Sequence, residues 1–518
     1  MESQEPLILA IDNGTQSVRA LLFNRSGELV AKAQTPLTDY TSQRDGWQEH
    51  DAEAFYLQMA ATCQQLFADS EQTPEQIKAV VVTTQRATVI NLDAKGQPLR
   101  PAIIWTDQRK AEIRSKRPWL WRLAFRLLRL KPTIDALERE AEINWIAQNQ
   151  PEIWANTAHF LLLSGFLNYR LTGEVKDSIG SQVGYIPFDY KRQCWSGERD
   201  WKWSCMPVAR SQLPKLVAVG DTIGTITGAA GKATGLLPGT PVIAGAADKA
   251  CEVLGSGCIE ETMGSISCGT TATINVCQNR YIEPRPFIPP YPAALPGHFN
   301  GEIQVFRGFW MVEWFVQQFG SPEQGRVAND NRSVEMLLDE LVVATPPGAE
   351  GLMLQPYWNP GLGQPGPEAR GSVIGFTDKH GRAHLYRALL EGLAYALREG
   401  KEQLERRSKI PMQRLRVAGG GSQSDVVMQI LADVMQLPTE RPSTYEASGL
   451  GAAMIAAVSL GYYPDYSAAV PAMTSVSARF EPNSANSALY EQLYKQVYQR
   501  QYGRLQPLYA ALVSLLPR

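Results

Sequence analysis

The 518-residue chain has no surplus of charge of either sign: 50 lysines and arginines stand against 52 aspartates and glutamates, a formal net charge of −2. Without a basic excess there is little to neutralise a phosphate backbone, so no nucleic-acid partner is expected. Cysteine is scarce and scattered, at Cys63, Cys194, Cys205, Cys251, Cys258, Cys268 and Cys277, with no C-x-x-C pair, and the five histidines are dispersed. That pattern offers neither a zinc site nor a disulfide framework, and reduced thiols in a cytosolic protein are the simplest account. No apolar run reaches the roughly 18 residues of a membrane span. The start, Met1-Glu2-Ser3-Gln4-Glu5-Pro6, lacks the positive charge of a secretory signal. Low-complexity segments are also missing. A cytoplasmic protein is expected, with no membrane partner.

What the chain does have is a hairpin signal that occurs twice, half a chain length apart. Leu7–Ile11 runs into Asp12-Asn13-Gly14-Thr15-Gln16-Ser17 and then Val18–Phe23; Ser265–Cys268 runs into Gly269-Thr270-Thr271 and then Ala272–Val276. Glycine allows a tight turn and close approach of a ligand, and threonine adds hydroxyl donors. Either turn alone reads as an ordinary hairpin. Two of them facing each other would cradle a polyphosphate, with Asp12 placed to hold its Mg²⁺ directly or through water. The length exceeds one core, so two domains of roughly 250 residues are expected.

The order along the chain is that of an α/β protein. Strands are expected near 7–12, 17–23 and 29–35, a helix over 51–67 with Phe55, Met59, Cys63 and Leu66 on one stripe, then strands at 77–83, 89–92 and 103–105. Strand and helix alternate in a way that argues for mixed sheets covered by helices. A helical stretch is expected to run to about residue 170 and stop at Gly173. The second half repeats the scheme, with strands starting near 241 and 265, helices at 308–319, 333–343 and 384–405, and a strand at 415–418. Pro-rich loops at 284–296 and 355–367 carry Phe287, Tyr291 and Trp358 as packing groups. The boundary is expected near residue 255, giving domains 1–255 and 256–518 with Asp248 close to the hinge.

Three constellations carry chemistry. Gly419-Gly420-Gly421-Ser422 follows a strand and precedes a helix capped by Ser424, a bare slot against which a nucleoside can lie. Gly449-Leu450-Gly451-Ala452-Ala453 opens another helix suited to close approach to that slot. Asp248 sits in a small-residue stretch, Gly245–Ala250, after a strand, where open α/β folds place reactive groups. It reads equally as a proton acceptor and as a cap on the following helix. Gln85-Arg86 and Trp105-Thr106-Asp107-Gln108-Arg109 pair an aromatic face with charges, as polyol sites do, and also fit a surface tryptophan beside an ion pair.

With these motifs assembled, the chain resembles the FGGY carbohydrate kinases, a branch of the actin-like ATPases. The resemblance rests on Asp12-Asn13-Gly14-Thr15-x-Ser17-x-Arg19, Trp105-x-Asp107-x-Arg109, Leu171-Thr172-Gly173, Gly245-x-x-Asp248 and Gly269-Thr270. It continues through Tyr357, Ala369-Arg370-Gly371, Gly371–Phe376, His384–Glu391, Gly419–Ser422 and Gly449-x-Gly451-Ala452-Ala453. It implies two actin-like (ribonuclease H-like) α/β domains, each a mixed sheet flanked by helices, with the site in the cleft between them. The activity it implies is ATP-dependent phosphorylation of a small sugar or polyol, a ketose or alditol such as a pentulose. Asp248 falls at the general base and Asp12 at the Mg²⁺-associated carboxylate. Thr15, Gly269, Thr270 and Gly308 fall at the phosphates, and Gly420, Gly421 and Ser422 at the adenosine. Gln85, Arg86, Trp105 and Asp107 fall in the sugar site, with Lys249 beside the base. Phosphoryl transfer of this kind depends on positioning and charge neutralisation.

The chain departs from its relatives in three places. Glycerol kinases follow Gln-Arg with Glu where this chain has Ala87, which leaves Arg86 with spare donors. Lys249 stands where the glycerol and xylulose enzymes carry an uncharged amide. If it faces the cleft, the site turns positive and the acceptor is expected to be longer than glycerol, with a carbonyl or carboxylate; if it faces away, this argument lapses. Finally, segment 114–131 interleaves arginines with tryptophans and leucines. It is expected to pack on its own domain or at a homodimer interface, the alternative being an anionic membrane surface. A non-catalytic sugar sensor and a motion-driven ATPase are the rival readings of the same superfold.

Overall fold

The computed structural model describes residues 5–516, apart from 39, 115–116, 129, 322, 325–333 and 362–364. Lys116, Arg129, the first residue of the helix expected at 333 and part of the 355–367 loop therefore lie outside the described residues.

The first half is built on β1 (Leu7–Asn13), β2 (Ser17–Phe23), β3 (Leu29–Pro36), β4 (Ile77–Thr84), β5 (Thr222–Thr225) and β6 (Pro241–Ile243). In space they run β3-β2-β1-β4-β6-β5. β1 pairs antiparallel to β2 and parallel to β4, β4 is parallel to β6, and β5 closes the edge antiparallel. β1 and β4 are buried along most or all of their length, as expected of strands covered on both faces. Helix α1 (Ala52–Asp69) covers one face through Phe55, Met59, Cys63 and Leu66, and is capped by Asp51, whose carboxylate accepts from Glu53 N at 3.0 Å.

The second half repeats this arrangement. β7 (Met263–Cys268), β8 (Ala272–Gln278), β9 (Tyr291–Pro292), β10 (Phe299–Val305), β11 (Arg414–Ala418), β12 (Thr439–Pro442) and β13 (Val476–Phe480) lie in the order β9-β10-β8-β7-β11-β12-β13. Here too the central strand is antiparallel to the next strand in sequence and parallel to the one that returns through a helix. The sense of every pair matches the first sheet, with β9 added outside. The two hairpin signals are thus equivalent turns of a duplicated sheet.

Between the sheets lie two helices, α2 (Asp248–Gly255) and α5 (Ala447–Ser459), the latter preceded in the chain by α3 (Arg382–Ser408) and α4 (Asp425–Met435). α2 and α5 cross at glycines: a Cβ on Gly451 would lie 1.9 Å from Cys251 O, and one on Gly255 1.9 Å from Ala447 O. Gly449 meets Leu21 of β2, and α5 shares a core with Ile8, Ala10, Phe23 and Val81. Although α5 belongs to the second half of the sequence, it packs on the first sheet. Its small residues serve this crossing, where sequence reasoning assigned them to the glycine slot.

The single helical stretch expected before Gly173 is divided into helices at Trp119–Leu127, Lys131–Glu140, Glu142–Asn149 and Pro151–Asn156, a strand at His159–Leu162, and a helix at Leu163–Thr172. Pro118, Pro132 and Pro151 stand at the breaks, where a missing N–H and fixed φ start a new helix. Trp105 falls just beyond its strand. Phe287, expected to pack, is 52% exposed, whereas Tyr291 is buried.

Candidate active site

Gly14 N donates to Ser17 O at 3.1 Å and closes the first turn. Asp12, at the end of β1, is buried, and its carboxylate accepts from Arg19 Nη1 at 3.2 Å. Burial pushes the Asp12 carboxyl up to about 7; Arg19 opposes this, and the neighbouring Asp248, Glu446 and Glu252 add to it. Arg19 also contacts Glu446 at 3.4 Å, and Lys32 pairs with the other oxygen of Glu446. Asp248 and Glu252 act on Asp12 as well, a grouping of carboxylates that suits a cation. Among the described residues no three acidic, histidine or cysteine side chains converge to hold a metal by themselves.

Asp248 is the first residue of α2, delivered by the linker Gly245-Ala246-Ala247. Hydrogen bonds hold that linker: Ser178 Oγ donates to Gly245 O, Thr83 Oγ1 to Ala246 O at 2.8 Å, and Ala247 N to Gly180 O at 3.1 Å. Gly245 cannot be larger, because a Cβ there would lie 2.6 Å from Val82 O of β4. Among the described residues the carboxylate accepts only from the next backbone amide, Lys249 N, at 2.7 Å. Burial pushes its pKa up, while Arg86 and Lys249 pull it down. An aspartate so placed has lone pairs free to take a proton.

On the acceptor side, the Thr15 hydroxyl donates to Gln85 Oε1 at 3.1 Å and accepts from Trp105 Nε1 at 2.8 Å. Thr15, Gln85 and Trp105 therefore form one chain, which ties the first turn to the segments after β4 and around Trp105. Gln85 is buried, and its Nε2 has no partner; an orphaned buried donor fits a ligand hydroxyl. Trp105 is 39% exposed and offers its ring. Asp107 has no free lone pairs: it accepts from Arg109 N and Nε at 2.8 Å, Arg109 Nη2 at 2.7 Å and Gln48 N at 2.6 Å. Arg109 lies over the rings of Trp47 and Trp145, at 4.2 and 4.6 Å. The expected sugar contact at Asp107 is thus replaced by an ion pair that props the Trp105 loop.

Arg86 already has its two terminal nitrogens on one carboxylate. Its Nη1 donates to Glu302 Oε1 and Oε2 at 3.1 and 3.3 Å, and Nη2 donates to Oε1 at 3.1 Å. Glu302 lies on β10 of the other half, and Tyr291 Oη and Gln304 Nε2 also donate to it. The carboxylate absent at position 87 is supplied from across the cleft. Lys249 is likewise engaged: Nζ donates to Glu252 Oε2 and to Ser267 Oγ, each at 2.7 Å. It reaches toward β7 and the second turn, so the expected positive acceptor site does not form.

The second turn, Gly269–Thr271, is held by Phe309 N donating to Gly269 O at 3.0 Å, and Thr270 is exposed. Gly308 abuts it, since a Cβ would lie 2.1 Å from Ala272 N; this glycine is needed for packing. In the glycine run, Gly419 has φ +85° and packs on Cys268, and a Cβ on Gly421 would meet the Phe309 ring at 2.5 Å. Only Gly420 faces open space, with no atom within 4 Å of a Cβ. The Ser422 hydroxyl donates to Gly419 O at 2.7 Å and so closes the turn. Gly420 is the open floor of the slot, and its three neighbours shape it.

Sequence reasoning missed Glu302, Tyr291 and Glu446. Glu302 had a signal, since along β10 Asn300, Glu302 and Gln304 alternate with apolar Ile303 and Val305 in a largely buried strand. Glu446, which binds both Arg19 and Lys32, had none, because its partners lie four hundred residues away.

Duplicated sheets, paired turns and a central carboxylate define a two-domain kinase of actin-like fold. The family models for the N-terminal and C-terminal domains of FGGY carbohydrate kinases match residues 7–255 and 264–460. The chain belongs to the FGGY family of carbohydrate kinases and is an enzyme that uses ATP to phosphorylate a small sugar or polyol. It is 29% identical to a xylulose kinase of Lactococcus lactis over 94% of each chain, and 28% identical to a glycerol kinase of Dechloromonas aromatica over 94% of this chain and 96% of that one. The crystal structure of a xylulose kinase from Rhodospirillum rubrum superposes with a TM-score of 0.82 at 26% identity, covering 97% of this chain and 100% of that one.

Proposed function

We propose that the acceptor is an uncharged ketose or alditol, held by Gln85, Arg86 and the Trp105 ring, and that Asp248 takes the proton of its attacking hydroxyl. The oxygen so freed forms the new bond to the γ-phosphorus of ATP, the bond to the β–γ bridging oxygen breaks, and ADP departs. Thr270 and the amide of Gly269 contact the phosphates, and Gly420 lies beneath the adenosine. Asp12 would hold Mg²⁺, which when bound would supply charge neutralisation at the phosphates. The two sheets act as domains divided near residue 255, with α2 and α5 as the hinge between them.

One observation carries the choice of acceptor. Both cations beside Asp248 are already paired, Arg86 with Glu302 and Lys249 with Glu252. A carboxylate-bearing sugar would find no unmatched charge and would face Glu302 and Asp248. The relatives' acceptors, xylulose and glycerol, are also uncharged. A panel of ketoses, alditols and aldonates assayed for ADP release tests the reading: turnover is expected on a ketose or alditol. An aldonate as the best substrate would overturn it.

A further inference from the structure

Segment 114–131 carries seven lysines and arginines and not one aspartate or glutamate, in a chain whose net charge is −2. Its helix, Trp119–Leu127, is anchored by one face only. Phe125 is buried against Trp201, with ring centroids 5.5 Å apart, and packs with Ile134 and Cys205. Trp121 stacks on Phe125 with ring centroids 5.7 Å apart, and four other apolar side chains look outward: Trp119 is 64% exposed, Leu120 61%, Leu123 47% and Leu127 74%. On a helical wheel these four form a stripe of about 100°, and Arg122 and Arg126 run alongside it. Arg117, at the base of the helix, is bound by Asp135 and Glu138, and Lys131 by Asp135. Among the described residues no carboxylate pairs with Arg122 or Arg126, and both are exposed. The packing expected of this segment from sequence is therefore confined to its Phe125 edge.

We propose that this helix docks the kinase on an anionic lipid surface, with the Trp119/Leu120/Leu123/Leu127 stripe in the interface and Arg122 and Arg126 on lipid phosphates. Interfacial helices combine an apolar stripe bearing tryptophan with flanking arginines in this way. No helix among the described residues is long and apolar enough to cross a membrane, so the contact is peripheral. A second copy of this chain fits the face poorly. Two-fold pairing sets a patch against itself, which would bring arginine against arginine in a segment with no acid to separate them.

The test is sedimentation of the full-length enzyme with phosphatidylcholine vesicles, with and without one-third phosphatidylglycerol. Binding is expected only to the anionic vesicles and should weaken as salt rises. Brominated lipid should quench tryptophan emission in the unmodified protein. Arg122→Glu/Arg126→Glu should weaken binding at least about 30-fold, and Leu123→Glu/Leu127→Glu should abolish it, both with wild-type kinase turnover. The proposal is overturned if the unmodified enzyme stays in solution with anionic vesicles, or if bromolipid leaves its emission unchanged. Charge reversal without effect would overturn it, as would a concentration-dependent dimer dissolved by the leucine substitutions.

Discussion

Arg86, just beyond β4, is held by Glu302 of β10 through both terminal guanidinium nitrogens, so a cation of one half is matched by a carboxylate of the other. Both side chains are nearly sequestered, at 17% and 8% exposure. A buried pair of this kind is costly to break from one side, about 3–5 kcal/mol, because the remaining charge is stranded.

Glu302→Gln keeps the shape and removes the charge. It should lower kcat/KM for the neutral acceptor and raise that for an aldonate, shifting the ratio by about tenfold or more, since Arg86 is released to bind a carboxylate. Steady-state kinetics on both acceptors measure this. An unchanged ratio would remove Glu302 from acceptor choice.

Thr15→Val should disturb the sugar site as well as the phosphates. The substitution removes the hydroxyl that donates to Gln85 Oε1 and accepts from Trp105 Nε1. A buried amide left unpaired costs about 1–3 kcal/mol, so stability should fall by that order and acceptor KM should rise about tenfold. Denaturant unfolding and kinetics report the two effects; a variant altered only in MgATP use would sever the Thr15–Gln85 link.

Asp12 gives a pH signature. Its folded-state pKa of about 7 lies above the ordinary 3.8, so between these values the native state binds a proton that the unfolded chain does not. The group therefore destabilises the ligand-free protein as pH rises from 3.8 to 7, and fully above that. Asp12→Asn should be more stable than wild type at pH 8, by an amount on the order of a few kcal/mol, with the gap closing toward pH 4. In the wild type, Mg²⁺ needs the ionised form, so apparent MgATP affinity should fall as pH drops through about 7. Thermal melts across this range, with titrations of MgATP, would show both; a pH-independent stability gap would contradict the shift.

The two hairpins, the central strands and the glycine slot were legible in the sequence because each is local: a strand period, a turn glycine, a capping serine. Even the place of Asp248 between a strand and a helix was legible, from the small residues around it. The pairs that set the chemistry were not. Arg86–Glu302, Lys249–Ser267 and Glu446–Lys32 join residues remote in the chain, and no spacing rule predicts them. Lys249 shows the consequence: its position beside Asp248 suggested an acceptor-site cation, and its four-carbon stem carries the charge to β7 instead. Ser422, Gly308 and Asp107 brace their neighbours in the fold: Ser422 closes the glycine turn, Gly308 packs on Ala272 and Asp107 holds Arg109.

The most direct test of the whole account is Asp248→Asn, assayed for phosphorylated product and, by calorimetry, for MgATP binding. The amide cannot take the hydroxyl proton, so acceptor-dependent turnover should fall by roughly 10²-fold or more, with nucleotide affinity little changed. Near-normal turnover in this variant, or wild-type ATP hydrolysis that no sugar or polyol stimulates, would contradict it.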